Sequence, residues 1–334
     1  MKNNTVEEIW NELKKAKKVL IPLHPRPDGD SLGSCVAMSY ALKKIGIKVE
    51  LISKDKLSEN LDDYNFVKEV KFDKDVGDFN LNDFDFIVFL DHGTLKDYSD
   101  KFINDAQTKE KIINIDHHDT NNYYGNFNYI IPNLPSCCSI LFNIFEMVGV
   151  EFDKEICRRL LLGLCTDTNF GEYGNSADSF EKMAFLIKKG KINFQKEFVN
   201  IINSNPWKIK KLHGILLTNM EKRNVGKYTI AYSWATKNEY DKHGLNYSDV
   251  RLGIFCMQDI KGIDLVFTLT EMENEIKGSF RSNGLDTTIY SKEFGGGGHK
   301  QASAFIVDKQ DIKKLVNEVI KIIEKRGFVE IDKI

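Results

Sequence analysis

No stretch of the 334-residue sequence approaches the roughly 20 consecutive apolar residues that a membrane-spanning helix needs. The start, Met1-Lys2-Asn3-Asn4-Thr5, is polar and reads as no secretory leader, so a cytoplasmic chain without a membrane partner is expected. Nor is there an excess of charge of one sign. Lys plus Arg (47) nearly balances Asp plus Glu (49), which leaves no global positive field to gather long duplex nucleic acid. An anionic substrate must therefore be held by local charge and by metal. The six cysteines, Cys35, Cys137, Cys138, Cys157, Cys165 and Cys256, contain no CxxC pair and no zinc spacing. They suit a reducing compartment, and adjacent Cys137 and Cys138 read as small buried residues rather than a bridge. Internal repeats and low-complexity tracts are absent.

The length is enough for two domains with separate cores. Thr5 and Glu8 form a capping-box pattern opening a helix that buries Ile9, Trp10 and Leu13. Residues 19–23, 48–52, 85–90 and 111–115 are short apolar runs of strand length, with helical stretches at 31–44 between the first two and at 136–148 and 155–164 after the last. Strands this apolar predict a parallel sheet covered on both faces, with ligands gathering outside the carboxyl ends of its strands. The second half changes character. A basic helical connector spans about 186–215; strands are expected at 229–234, 253–256, 265–270, 276–280 and 302–307, with a hairpin turn at Glu273-Asn274. Helices are expected at 286–294 and 311–326. The fold class is α/β: an N-terminal doubly wound parallel-sheet domain (1–187), a basic linker (188–215), and a smaller C-terminal α+β domain (216–334). The active site is expected in the cleft between them.

Four apolar runs each end in metal-type ligands. His24-Pro25-Arg26-Pro27-Asp28-Gly29-Asp30 follows the first, Asp91 the run 86–90, Asp116-His117-His118 the run 112–115, and Asp167 the run 160–164. Any one of these would be an ordinary loop Asp or a satisfied His; six donors at the ends of apolar runs describe a dinuclear centre. The set His24, Asp28, Asp30, Asp91, His117 and Asp167 holds carboxylate and imidazole without thiolate, which favours two Mn²⁺ ions, with Mg²⁺ as the alternative. Gly29 and Gly33 flank a turn that must aim aspartates inward. Farther on, Gly295-Gly296-Gly297-Gly298-His299 lets the backbone approach an anion, and Arg281 supplies a guanidinium for phosphate.

These residues together resemble the DHH phosphoesterase superfamily with its DHH-associated C-terminal domain. The segments 24–34, Asp91, Asn114-Ile115-Asp116-His117-His118 and Thr166-Asp167-Thr168 look like the four motifs of the first domain, and Phe294-Gly295-Gly296-Gly297-Gly298-His299 like that of the second. The likeness covers about residues 15–310, and the nearest subgroup is the nano-RNase/pAp-phosphatase type. That resemblance implies a Mn²⁺-dependent hydrolase of short oligoribonucleotides and of 3′-phosphoadenosine 5′-phosphate (pAp). Metal one would be held by His24, Asp28 and Asp91. Metal two would take Asp30, Asp91, His117 and Asp167, with Asp91 bridging and a hydroxide between the ions attacking phosphorus. Asp116 would orient its neighbours, and His118 would lie beside the scissile phosphate. Arg281, Ser282, Gly296, Gly297, Gly298 and His299 would hold a phosphate or nucleotide end. A homodimer is the expected assembly on frequency alone.

Three positions depart from the subgroup. Asn169-Phe170-Gly171-Glu172-Tyr173 lacks an arginine, Ser136-Cys137-Cys138 replaces a Ser/Thr-rich stretch, and His92 follows Asp91. They leave a soluble phosphodiesterase of cyclic di-AMP or linear pApA as the alternative. A catalytically silent nucleotide-binding protein would require a lost ligand, and none is lost. A family II pyrophosphatase would need a Ser-Arg-Lys-Lys-Gln cluster, which is missing.

Overall fold

The computed structural model describes residues 2–58, 61–62, 64–95, 98, 111–171, 177–202, 207–245, 253–258 and 260–331. The chain divides into two compact units, 1–204 and 205–334.

The first unit runs α1 (Val6–Lys15), β1 (Lys18–Pro22), α2 (Gly29–Lys44), β2 (Lys48–Ile52), β3 (Phe86–Leu90), β4 (Ile112–Asp116) and β5 (Phe127–Ile130). Four helices follow: α3 (Cys137–Val148), α4 (Lys154–Asp167), α5 (Ala177–Lys189) and α6 (Phe194–Ile202). The expected capping box is present, with the Glu8 amide donating to Thr5 Oγ1 (3.1 Å) and the Thr5 amide to Glu8 Oε2 (2.9 Å). All four strand pairings are parallel, in the order β2-β1-β3-β4-β5. Alternate residues point to opposite faces, so Val19, Ile21, Val88, Leu90, Ile113 and Ile115 pack against the helices. Leu20, Ile87, Phe89 and Ile112 face a smaller cluster with Val76, Phe84 and Tyr98. On that second side the described cover is short 3₁₀ turns rather than helices. From β1 the chain goes outward to β2 on one side and then to β3 on the other. This reversal opens a crevice at the carboxyl ends of β1 and β3, where ligands of such sheets bind.

The second unit contains α7 (Trp207–Thr218), β6 (Glu221–Val225), β7 (Tyr228–Ala235), α8 (Lys237–Asp241), β8 (Leu265–Glu271), β9 (Glu275–Ser282), α9 (Thr288–Ser291), β10 (Gly297–His299), β11 (Ala302–Asp308) and α10 (Ile312–Arg326). Its six strands lie in the order β10-β11-β9-β8-β7-β6, antiparallel except for β7 with β8. One face carries Ile230, Phe267, Phe280 and Phe305 under the apolar stripe Leu315, Val319 and Ile323 of α10. The opposite face is partly covered where Ile254 and Met257 pack on Ala231 and Val266.

Three expectations change. Residues 253–256 form a 3₁₀ turn (Gly253–Met257) and not a strand, because Gly253, Ile254 and Met257 point inward at a turn's spacing rather than alternating. The helix expected at 286–294 is a single turn followed by a 3₁₀ turn that ends at Gly295, whose φ of +72° suits glycine. The linker expected at 188–215 is shared out. Arg158 pairs with Glu197 of α6 (3.0 Å) in the first unit, while Ile209, Leu212 and Leu216 of α7 are buried with Ala235, Tyr240 and Leu245 in the second.

Candidate metal centre

The chain leaves β1 through Leu23, and Asp28 caps α2 by accepting the amides of Asp30 (3.1 Å) and Ser31 (3.0 Å). His24 Nδ1 lies 2.9 Å from the Pro25 carbonyl, which turns Nε2 toward Asp28 Oδ1 (3.6 Å) and Asp91 Oδ2 (3.5 Å). Asp91 follows β3 with φ +58°, a left-handed conformation that costs a non-glycine residue energy and is found where surrounding structure enforces it. Its amide donates to the Ile115 carbonyl (3.1 Å). Asp91 thus presents Oδ2 to His24 and Oδ1 to His117 Nε2 (3.3 Å). One carboxylate, 4 % exposed, serves two donor groups.

Asp30 sits against the N-terminus of α3, where the Cys137 amide donates to Oδ2 (2.6 Å) and the Cys138 amide to Oδ1 (3.0 Å). Ser136 caps the same helix through the Ser139 amide (3.0 Å). The positive end of the helix thereby fixes a buried carboxylate. Here the glycines act differently from expectation. Gly29 and Gly33 have ordinary helical backbones, and what they allow is contact between α2 and α4. A Cβ on Gly29 would fall 2.3 Å from Thr166 Oγ1, and one on Gly33 would fall 2.7 Å from the Arg159 carbonyl. Gly163 completes the seam, since its Cβ would lie 2.4 Å from Asp30 Oδ1. This contact brings Asp167, the last residue of α4, to the centre, with Oδ2 3.4 Å from His117 Nε2.

Asp116 ends β4 with no exposed surface. Its Oδ1 accepts the His117 amide (2.8 Å) and His118 Nδ1 (2.7 Å), and its Oδ2 accepts Asn121 Nδ2 (2.6 Å). His118 is therefore oriented through Nδ1 by the Asp116 carboxylate. Asn121 was not singled out from sequence. Its Oδ1 accepts Asn114 Nδ2 (3.1 Å) and the Tyr123 amide (2.8 Å), and its Nδ2 also reaches the His92 carbonyl (3.2 Å). The signal available was its place three residues beyond the histidine pair. His92, 8 % exposed, stacks against His24 with ring centroids 6.1 Å apart and meets Tyr98 edge-on at 5.0 Å.

Among the described residues, three groups of donor atoms each lie within 4.8 Å of one another: His24, Asp28 and Asp91; Asp30, His117 and Asp167; and Asp91, Asp116, His117 and His118. All six sequence-predicted ligands fall in them, and so do Asp116 and His118. Electrostatics agree with a cation site. Burial pushes Asp30 up to about 7, reinforced by the Asp91 charge, and burial likewise raises Asp167 well above the usual carboxylate range. Burial opposes charge on His24 and His117, yet the neighbouring carboxylates raise both well above the ordinary imidazole value. Burial also works against ionised Asp91, but hydrogen bonds from His117 and His24 override it and hold the carboxyl below its usual range. Protons thus accumulate where cations would neutralise the same carboxylates. The nearby thiols Cys137 and Cys138 are driven well up by burial and stay protonated, so the donors are oxygen and nitrogen. The residues fit a pair of hard divalent ions.

In the second unit, Arg281 pairs with Ala302, and Ala302 with His299. Facing residues of neighbouring strands share a face, so Arg281 and His299 flank Ala302. Ser282 points to the opposite face and spends its hydroxyl on the Leu285 carbonyl (2.5 Å) and amide (3.2 Å). The glycine run forms the edge strand rather than an open anion nest. The Gly296 amide donates to the Ser291 carbonyl (2.9 Å). A Cβ on Gly296 or Gly298 would strike the β11 backbone at 2.2 and 2.6 Å. Of the departures, Asn169 (φ +44°), Phe170 (+60°) and Gly171 (+90°) form a left-handed turn behind Asp167. Glu172 and Tyr173 lie outside the described residues.

The DHH family, N-terminal domain, matches residues 18–164, and the DHHA1 domain matches residues 230–325. The chain carries a DHH N-terminal domain and a DHHA1 domain. Two relatives are called "Bifunctional oligoribonuclease and PAP phosphatase NrnA". That of Mycoplasma genitalium is 24 % identical over 331 residues, covering 96 % of this chain and 98 % of the relative. That of Thermus thermophilus is 22 % identical and covers 95 % and 94 %. The crystal structure of an exopolyphosphatase-related protein from Bacteroides fragilis superposes with a TM-score of 0.86 at 23 % identity, covering 96 % of this chain and 95 % of that one. It shares the fold. No described helix is long and apolar enough to cross a membrane.

Proposed function

We propose that the chain is a divalent-metal-dependent phosphoesterase that hydrolyses short oligoribonucleotides to mononucleotides and pAp to AMP. The observation that carries this is the Asp91 carboxylate, whose two oxygens face the separate donor groups around His24 and His117. The names of two nearly full-length relatives support this substrate class.

His24, Asp28 and Asp91 would hold one ion, and Asp30, Asp91, His117 and Asp167 the second, with Mn²⁺ preferred because imidazoles join the carboxylates. Two such ions supply Lewis acidity and a nucleophilic oxygen at neutral pH. Water adds to phosphorus, the bond to the leaving nucleotide oxygen breaks, and that oxygen needs a proton. His118, anchored to Asp116 through Nδ1 (2.7 Å), offers Nε2 as the donor and as a partner for charge growing on the phosphoryl oxygens. Arg281 and His299 bind a phosphate of the nucleotide end, Arg281 through its planar fork of donors. Ser282 is left in its turn.

The test is Mn²⁺-dependent turnover of an RNA pentamer, pApA, pAp and cyclic di-AMP in parallel. Conversion of the pentamer to mononucleotides with phosphate release from pAp is expected. Hydrolysis confined to pApA or cyclic di-AMP would replace the substrate class, and no turnover of any of them would remove the phosphoesterase reading.

A further inference from the structure

We propose that Phe255 and Arg281 form a stacking platform for the substrate's nucleobase on the outer face of the second unit's sheet. This rests on the nucleotide-hydrolase reading and adds the residue that recognises the base.

The argument begins with an aromatic side chain held outside. In the turn Gly253–Met257, Ile254 (1 % exposed) and Met257 (0 %) anchor onto Ala231 and Val266. Gly253 seats beneath α7, where a Cβ would come 2.7 Å from Leu216 Cδ1. A single turn pinned at these three positions directs the residue between them outward, and Phe255 is 43 % exposed. A well-anchored turn thus presents a phenyl ring at the surface.

Beside it, the Arg281 guanidinium carbon lies 5.6 Å from the Phe255 ring centroid. Arg281 Nη1 also donates to the Phe280 carbonyl (2.8 Å), so the cation is held from two sides. In the transverse row, Val266 stands on one side of Arg281 and Ala302 on the other, followed by His299. In the next row along that face, Gly297 faces Ala304. Small residues thus floor the space between a phenyl-guanidinium pair and an exposed imidazole. A flat π surface next to a cation suits a base stacked by its face and a phosphate held by charge. An apolar side chain would gain nothing from the guanidinium, and a bare phosphate nothing from the ring.

The experiment compares Mn²⁺-loaded native chain, Phe255→Ala, Phe255→Leu and Phe255→Tyr on pAp and on ribose 3′,5′-bisphosphate, which carries the same phosphates without the base. Thermal melting of each variant confirms folding. In the native chain the KM for pAp should be lower by on the order of 10-fold, the size of one base–aromatic stack. That advantage should collapse toward one in Phe255→Ala and Phe255→Leu and persist in Phe255→Tyr. A native ratio of one, or an unchanged ratio in Phe255→Ala, overturns the platform. If the native chain hydrolyses neither compound, the phosphoesterase reading fails separately, and AMP binding by calorimetry judges the platform. Heat lost in Phe255→Ala supports it; heat retained, or absent from the native chain, overturns it.

Discussion

Asp91 is the residue on which the two donor groups converge. It is buried, left-handed in φ, and faces histidines on both sides. Asp91→Ala is expected to lower kcat by on the order of 10³-fold or more, as removal of a group central to the reaction does. Native-like kcat would refute its role. Asn121 acts one step back, through Asp116 on His118. Asn121→Ala should lower kcat on the order of 10-fold with a smaller change in KM, and should shift the pH–rate profile because the His118–Asp116 pair loses its fixed geometry. A KM effect with an unchanged pH profile would assign Asn121 to packing alone.

The titrating groups of the centre give a pH prediction. His24, His117 and His118 have raised values, so their contribution to stability is complete below about 6.5 and is lost as pH rises through their folded values. Asp30, raised to about 7, and Asp167 act in the same sense, favouring the folded state when protonated. Asp28, Asp91 and Asp116 are lowered; their contribution is present above about 4 and is lost in acid. The metal-free chain should therefore lose stability from pH 6 to pH 8. Mn²⁺ competes with the same protons, so its Tm gain should be larger at pH 8 than at pH 6. An equal or smaller gain at pH 8 contradicts the assignment.

Among the elements, the seam between α2 and α4 matters most. The helices approach through Gly33 and Gly163 closely enough to set Asp30 against both the α3 N-terminus and α4. A methyl at position 163 would lie 2.3 Å from Cys138 Sγ and 2.4 Å from Asp30 Oδ1. Gly163→Ala should cost about 1–3 kcal/mol of stability through overpacking and weaken Mn²⁺ binding by displacing Asp30. Thermal melting and Mn²⁺ titration read the two effects, and unchanged Mn²⁺ affinity would show that Asp30 tolerates the displacement. This seam was partly legible. Gly29 and Gly33 drew attention by lying beside Asp30, but their role in helix contact and the need for Gly163 depend on a partner more than 100 residues away. The 3₁₀ turn at Gly253–Met257 was misread for a related reason: a five-residue apolar run has no periodicity of its own, and its shape is set by Ala231, Val266 and Leu216.

Across the whole molecule, the sequence was most informative where chemistry and local pattern coincide. Apolar runs terminated by Asp or His located three of the five strands of the first sheet, the end of α4 and every proposed ligand, while the run at Lys48–Ile52 located a fourth strand. The fifth strand, Phe127–Ile130, was hidden because three of its four residues are polar or half-buried and its pairing with Ile113–Asp116 is non-local. In the second unit the Arg281–His299 relation depends on strand register, which the sequence does not express, and the same register turns Ser282 away. The proposed chemistry depends on one carboxylate, Asp91, shared by two ions. Electron paramagnetic resonance of the Mn²⁺-loaded chain addresses it directly. Two ions per chain with the spectrum of an exchange-coupled pair are expected. A single ion, or two uncoupled ions, would contradict the shared carboxylate.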